Sequence, residues 1–215
     1  MQSKTHNGNI ETGRRKLLKS GLASPCFLFR KEEKTMEKDT TTNFETIFKD
    51  DLYQYLLSHN EVDERLPEAP DLDELWQKIA EAYMPDAIRE FPNYPTVALG
   101  WIMYVGMAVA KYWDEDWELY SKVENLYAYL RDQTDFDHTD DYIREKVLLL
   151  NADEANALER LVGECAARTY SQLRRLNIEP STKEAYRAFV EALRQLYNFG
   201  VAIELKRLGY RMTAM

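Results

Sequence analysis

The fifteen residues TVALGWIMYVGMAVA, from Thr96 to Ala110, carry no charged side chain. Their only side-chain nitrogen or oxygen atoms belong to the Thr96 hydroxyl, the Trp101 indole and the Tyr104 phenol. As a helix the run spans about 22 Å, against the roughly 30 Å hydrocarbon core of a bilayer. Arg89 and Glu90 stand shortly before it, and Lys111, Asp114, Glu115, Asp116 and Glu118 follow at once. Length and flanking charge therefore exclude a membrane span. A helix apolar on every side must instead be enclosed by other helices. The sequence predicts a central helix over residues 96–112, with Gly100 and Gly106 serving the close approach of a crossing helix.

The rest of the chain supplies the neighbours. TNFE (42–45), DLDE (71–74), NADE (151–154) and STKE (181–184) each set a capping side chain three residues before a glutamate, the signature of a helix start. Apolar residues then recur on one face. They are Phe44, Ile47, Phe48, Leu52, Tyr55 and Leu56, then Leu72, Leu75, Trp76, Ile79, Ala80 and Tyr83. Later stripes run from Leu158 to Leu176 and from Ala185 through Phe189, Leu193, Leu196 and Gly200 to Ile203. Pro85 is expected to end the second helix or to open a short one through Phe91. No segment alternates with period two. Eight glycines and seven prolines in 215 residues also favour long helices over many short strands. The expected fold is all-α, a bundle of six to seven helices around residues 96–112.

Residues 1–35 stand apart, without sustained periodicity and ending in RKEEK before Met36. GRRKLLKSGLA carries the paired arginines and lysine of a twin-arginine export signal, but only SGLASPCFLF separates Lys19 from Arg30, too short and interrupted for an export core. Export is the minor alternative. The expectation is a disordered or non-native extension at 1–35, with Met36 as the natural start. A single helical domain then covers 36–215 in the cytoplasm. The two cysteines, Cys26 and Cys165, make neither a disulfide framework nor a zinc site.

Charge is distributed unevenly. Residues 1–35 hold 8 Lys/Arg against 3 Asp/Glu, residues 36–145 hold 9 against 26, and residues 146–215 hold 11 against 8. The acidic middle repels phosphates, so nucleic acid is excluded as a partner. Acidic and basic parts of one chain are expected to complement each other across helices. Arg174, Arg175, Arg194, Lys206, Arg207 and Arg211 read as solvated faces and C-terminal helix charges rather than an anion site.

Catalytic patterns fail when examined singly. DQTDFDHTDD (132–141) puts Asp140 where a calcium loop needs glycine and Lys146 where it needs glutamate. It reads as an acidic loop into a helix start, capped by Asp137 or Thr139. A di-iron carboxylate bundle needs two Glu-x-x-His pairs, whereas His59 and His138 follow Leu56 and Asp135. There is no nucleophile elbow and no glycine-rich phosphate loop. Neither a metal nor another cofactor is expected. Asp114, Glu115 and Asp116 suit the first turn of a new helix after the central one.

The leading expectation is a non-enzymatic helical interaction or regulatory module with a protein partner or a second copy of itself. The alternative is a bundle that binds a small apolar or aromatic ligand near Trp101, lined by Tyr104, Trp113 and Trp117. An enzyme using carboxylates comes third.

Overall fold

A computed structural model describes residues 44–66 and 70–211, without the side chains of residues 70–73. The Met36 start, the twin-arginine-like stretch, Cys26, the Thr42 cap and the Asp71 side chain lie outside the described residues. Among the described residues the fold is all-helical. Helix α1 covers residues 44–58. It is followed by α2 (Pro70–Glu90), α3 (Pro95–Tyr120), α4 (Leu126–Asp132), a 3₁₀ turn (Phe136–His138) and α5 (Thr139–Tyr142). A π-type turn (Ile143–Val147), α6 (Ala152–Arg175) and α7 (Lys183–Arg207) complete it. None of these helices is long and apolar enough to cross a membrane.

Helix α3 is the hub. Every residue from Ala98 to Ala110 except Trp101 is buried. Gly100 faces α6, where a Cβ would come within 3.1 Å of Val162 Cγ1. Gly106 faces α7, where a Cβ would collide with the Tyr197 carbonyl oxygen. Gly200 of α7 returns the arrangement, its missing Cβ leaving room for the Met103 backbone. The two glycines thus let two backbones touch, as the sequence leads one to expect of Gly106. The periodicity of α7 understated its role: Phe199 to Leu205 are all buried. The pattern predicts a one-sided stripe, but the segment is enclosed all round, with α3 against Gly200. The centre is therefore a crossed pair, with the remaining helices laid around it.

Three boundaries differ from the expectation. Helix α2 does not end at Pro85; it continues to Glu90. A proline inside a helix costs roughly 3 kcal/mol, offset here by buried anchors on both sides of it, Tyr83 and Met84 before, Asp86 and Ala87 after. The last helix is capped by Thr182, whose hydroxyl accepts from the Ala185 N–H at 3.1 Å, because Ser181 adopts a left-handed φ of 65°. In the acidic loop the cap is Asp135 rather than Asp137 or Thr139; its Oδ1 accepts from the His138 N–H at 3.1 Å. The full box at Asn151 forms as expected, with Glu154 reaching back to the Asn151 N–H at 2.9 Å.

Ion pairs join the early acidic and later basic parts of the chain. Arg168 of α6 pairs with Asp51 of α1 at 3.4 Å, and Lys206 of α7 with Asp63 at 3.3 Å. Lys206 also donates to the Asn60 side chain and the Val62 carbonyl. One buried group lacks such compensation. Tyr197 is fully buried against Trp76 and beside Gly106, and its hydroxyl has no hydrogen-bond partner among the described residues. An unmade hydrogen bond in the core costs about 1–3 kcal/mol. Tyr197→Phe is accordingly expected to stabilise the fold by about 1 kcal/mol or more, measured as a higher urea midpoint at unchanged slope. A lower midpoint would mean that the hydroxyl is satisfied.

Candidate functional site

The four aromatic residues singled out from sequence do not share one place. Trp101 and Trp113 are twelve residues apart on α3, about 18 Å along its axis. Trp101 is half-buried, and Phe136 from the 3₁₀ turn lies against it with ring centroids 4.5 Å apart. The Arg89 guanidinium sits over the other ring of this pair, 5.6 Å from the Phe136 centroid. Tyr104 is buried, with Arg144 5.7 Å from its ring centroid. Burial pushes the Tyr104 phenol well above its ordinary range, against the opposing pull of Arg144. Arg144 itself is held by Asp140 at 2.9 Å, Asp141 at 2.6 Å and Glu159 at 3.3 Å. These groups satisfy one another and join the π-type turn to α6.

Sequence reasoning missed a second buried cluster. Asp86, behind Pro85 on α2, accepts from the Tyr127 hydroxyl at 2.7 Å and pairs with Arg131 at 2.9 Å and Arg89 at 3.3 Å. Next to it, Tyr83 donates to the Ala98 carbonyl at 2.7 Å. The signal available was one aspartate on the apolar side of α2, where a charge needs partners. With both carboxylate oxygens engaged, the cluster ties α2 to α4 and leaves no acceptor for chemistry. Among the described residues no three His, Cys, Asp or Glu side chains gather to hold a metal. The Cys165 thiol is buried, and burial pushes its pKa up to about 12, which disfavours the thiolate.

The C-terminal end of α3 is different. The acidic residues expected to open a new helix instead continue the old one to a break at Asp116, whose φ of −160° and ψ of 80° are not helical. Asp116 Oδ1 then caps the last turn by accepting from the Leu119 N–H at 3.0 Å. Glu115 pairs with Lys111 at 3.2 Å, and Asp114 accepts from the Tyr210 hydroxyl at 2.8 Å. Trp113 is 44% exposed and meets Tyr210 edge to face at 5.4 Å, while Leu119 is 57% exposed. Behind them Tyr112 stacks on Tyr120 at 4.0 Å, and Tyr129 from α4 meets both rings edge-on. Trp117 is partly buried against the core. Trp113, Leu119, Tyr129 and Tyr210 are thus exposed, among carboxylates, near where the buried hub helix reaches solvent.

No protein-family model, no curated protein and no solved structure matches the chain.

Proposed function

We propose that the chain is a non-enzymatic helical interaction module, and that it docks a protein partner through the acid-rimmed aromatic surface at the C-terminal end of α3. The carrying observation is the exposure of Trp113 and Leu119 beside the Tyr112–Tyr120–Tyr129 cluster. Tryptophan and tyrosine are enriched where surfaces meet, because they offer large area with a polar tip. Charge favours a partner with a basic rim over a second copy. A two-fold contact would set Asp114, Glu115, Asp116 and Glu118 against or near themselves. The free, buried Cys165 thiol suits the reducing interior of a cell. The ligand reading near Trp101 has less support, since Phe136 occupies one face of that indole.

Paired affinity capture with the wild type and with Trp113→Ser/Leu119→Ser tests the proposal. Partners should be retained by the wild type and by Tyr186→Ser, an exposed position on α7. The double variant should lose them, since removing a central anchor weakens binding about tenfold or more. Identical capture by all three proteins would overturn the reading.

A further inference from the structure

A second surface lies between α1 and α6, independent of the first. Residues Ile47, Asp50, Asp51, Gln54, Tyr55 and Ser58 of α1, with His59 just beyond it, line an open groove of about 960 Å³, with Arg168 and Gln172 of α6 opposite. The α1 residues recur at three- and four-residue intervals, so they form one continuous helix face. That face adjoins the buried stripe Phe44, Phe48, Leu52 and Leu56. From Ile47 to Ser58 the groove runs about 16 Å, three helical turns. It explains why Ile47 and Tyr55, which the pattern assigns to the core, are only partly buried.

We infer that this groove receives one amphipathic helix of a partner protein, presenting apolar residues to Ile47 and Tyr55 and a lysine or arginine to Asp50. An open, elongated trough between two helices suits a third helix, whose side-chain ridges fill it. No strand occurs among the described residues, so an extended peptide finds no sheet edge to join. The trough does not enclose a small molecule, which ordinarily loses most of its surface to its site. Charge fixes the sign of the occupant. The Arg168 guanidinium lies over the Tyr55 ring at 4.4 Å and is engaged by Asp51 and Glu164. Asp50 has no ion partner among the described residues, so the surplus charge of the groove is negative. At the far end His59 Nδ1 lies 2.8 Å from the Tyr55 carbonyl, to which it donates.

The test uses a helical peptide of about 14 residues, roughly 21 Å long, with leucine on one face and lysine on the other, and a glutamate counterpart of equal length. Anisotropy titrations should show binding of the lysine peptide to the full chain and none of the glutamate peptide. Asp50→Lys should weaken the lysine peptide about fivefold. Gln54→Trp, which places an indole in the groove from an exposed position, should weaken it about tenfold or more. Thermal melting checks that both variants remain folded. Equal binding of the two peptides, or undiminished binding to both groove variants, would sink the inference. So would loss of binding in Trp113→Ser/Leu119→Ser alone, which would assign the peptide to the end of α3 and leave the docking proposal there standing.

Discussion

Alanine at Gly106 or at Gly200 is expected to destabilise the fold by about 3 kcal/mol or more, although alanine is the better helix former. Propensity alone favours alanine by about 1 kcal/mol. The opposing effect is larger. A Cβ on Gly106 meets the Tyr197 carbonyl oxygen, and one on Gly200 meets the Met103 carbonyl oxygen. Both obstacles are backbone, which cannot rotate aside as a side-chain tip can. Overpacking in a core typically costs 1–3 kcal/mol even where side chains adjust, so a backbone collision at the centre belongs at or above the top of that range. The α3–α7 pair must separate to relieve it. Gly163 is the internal control. It lies in α6 with nothing near its missing Cβ, and Gly163→Ala should stabilise by about 0.5–1 kcal/mol. Urea denaturation of the three variants measures both signs. Equal behaviour of Gly106→Ala and Gly163→Ala would contradict the backbone contact.

Glu204→Gln should stabilise the protein by about 2–3 kcal/mol at pH 8 and have little effect near pH 4. Glu204 sits on α7 with 3% exposure. Its Oε2 lies 3.6 Å from Arg207 Nε, an ion-pair distance without a hydrogen bond. Burial raises its pKa from 4.5 to about 7, against the pull of Arg207 and Lys111 and with a small push from Asp114. Because the folded value is the higher one, the native state binds the extra proton between pH 4.5 and about 7. Stability is thus fully present below the unfolded value, falls as pH rises through this window, and levels off above it. Glutamine keeps the shape without the charge, so the variant should lose this part of the pH dependence. A wild-type stability flat from pH 5 to 8, or a variant that follows the same slope, would refute the assignment.

The helices were legible because each buries a recurring face, and the hub because fifteen uncharged residues leave no face for water. Gly106 was legible for the same reason, as a costly residue in the middle of a core helix. The reciprocal Gly200 was placed on a stripe but not matched to its partner, since which helices cross is a property of three dimensions. Ser181 lost its expected role to Thr182 through one left-handed residue, a local choice that the STKE pattern cannot encode. Pro85 misled because a sequence shows its cost but not the buried residues that offset it. The candidate surface was half visible. Trp113 and Trp117 were singled out together with Trp101 and Tyr104, but the apolar pattern ends the central helix at residue 112 and cannot show that it runs on to carry Trp113 out of the core. Tyr129 and Tyr210 reach the surface from other elements, so no local pattern groups them with Trp113. The groove was hidden for a related reason. Ile47 and Tyr55 fit the core stripe, and only the spacing between α1 and α6 turns them outward.

The break at Asp116 gives the chain a joint. On its inner side α3 is locked by the crossed backbones, and no reorientation is available there without opening the core. On its outer side a single turn carries Leu119, held by the Asp116 cap, the Tyr112–Tyr120 stack and Trp117 packed against the core. The non-helical φ and ψ of Asp116 turn that segment out of line with the hub, so Leu119 reaches solvent while Trp117 and Tyr120 return to the core. The hub thus stays closed by backbone contact while its last turn redirects the chain toward α4 and brings Leu119 into water.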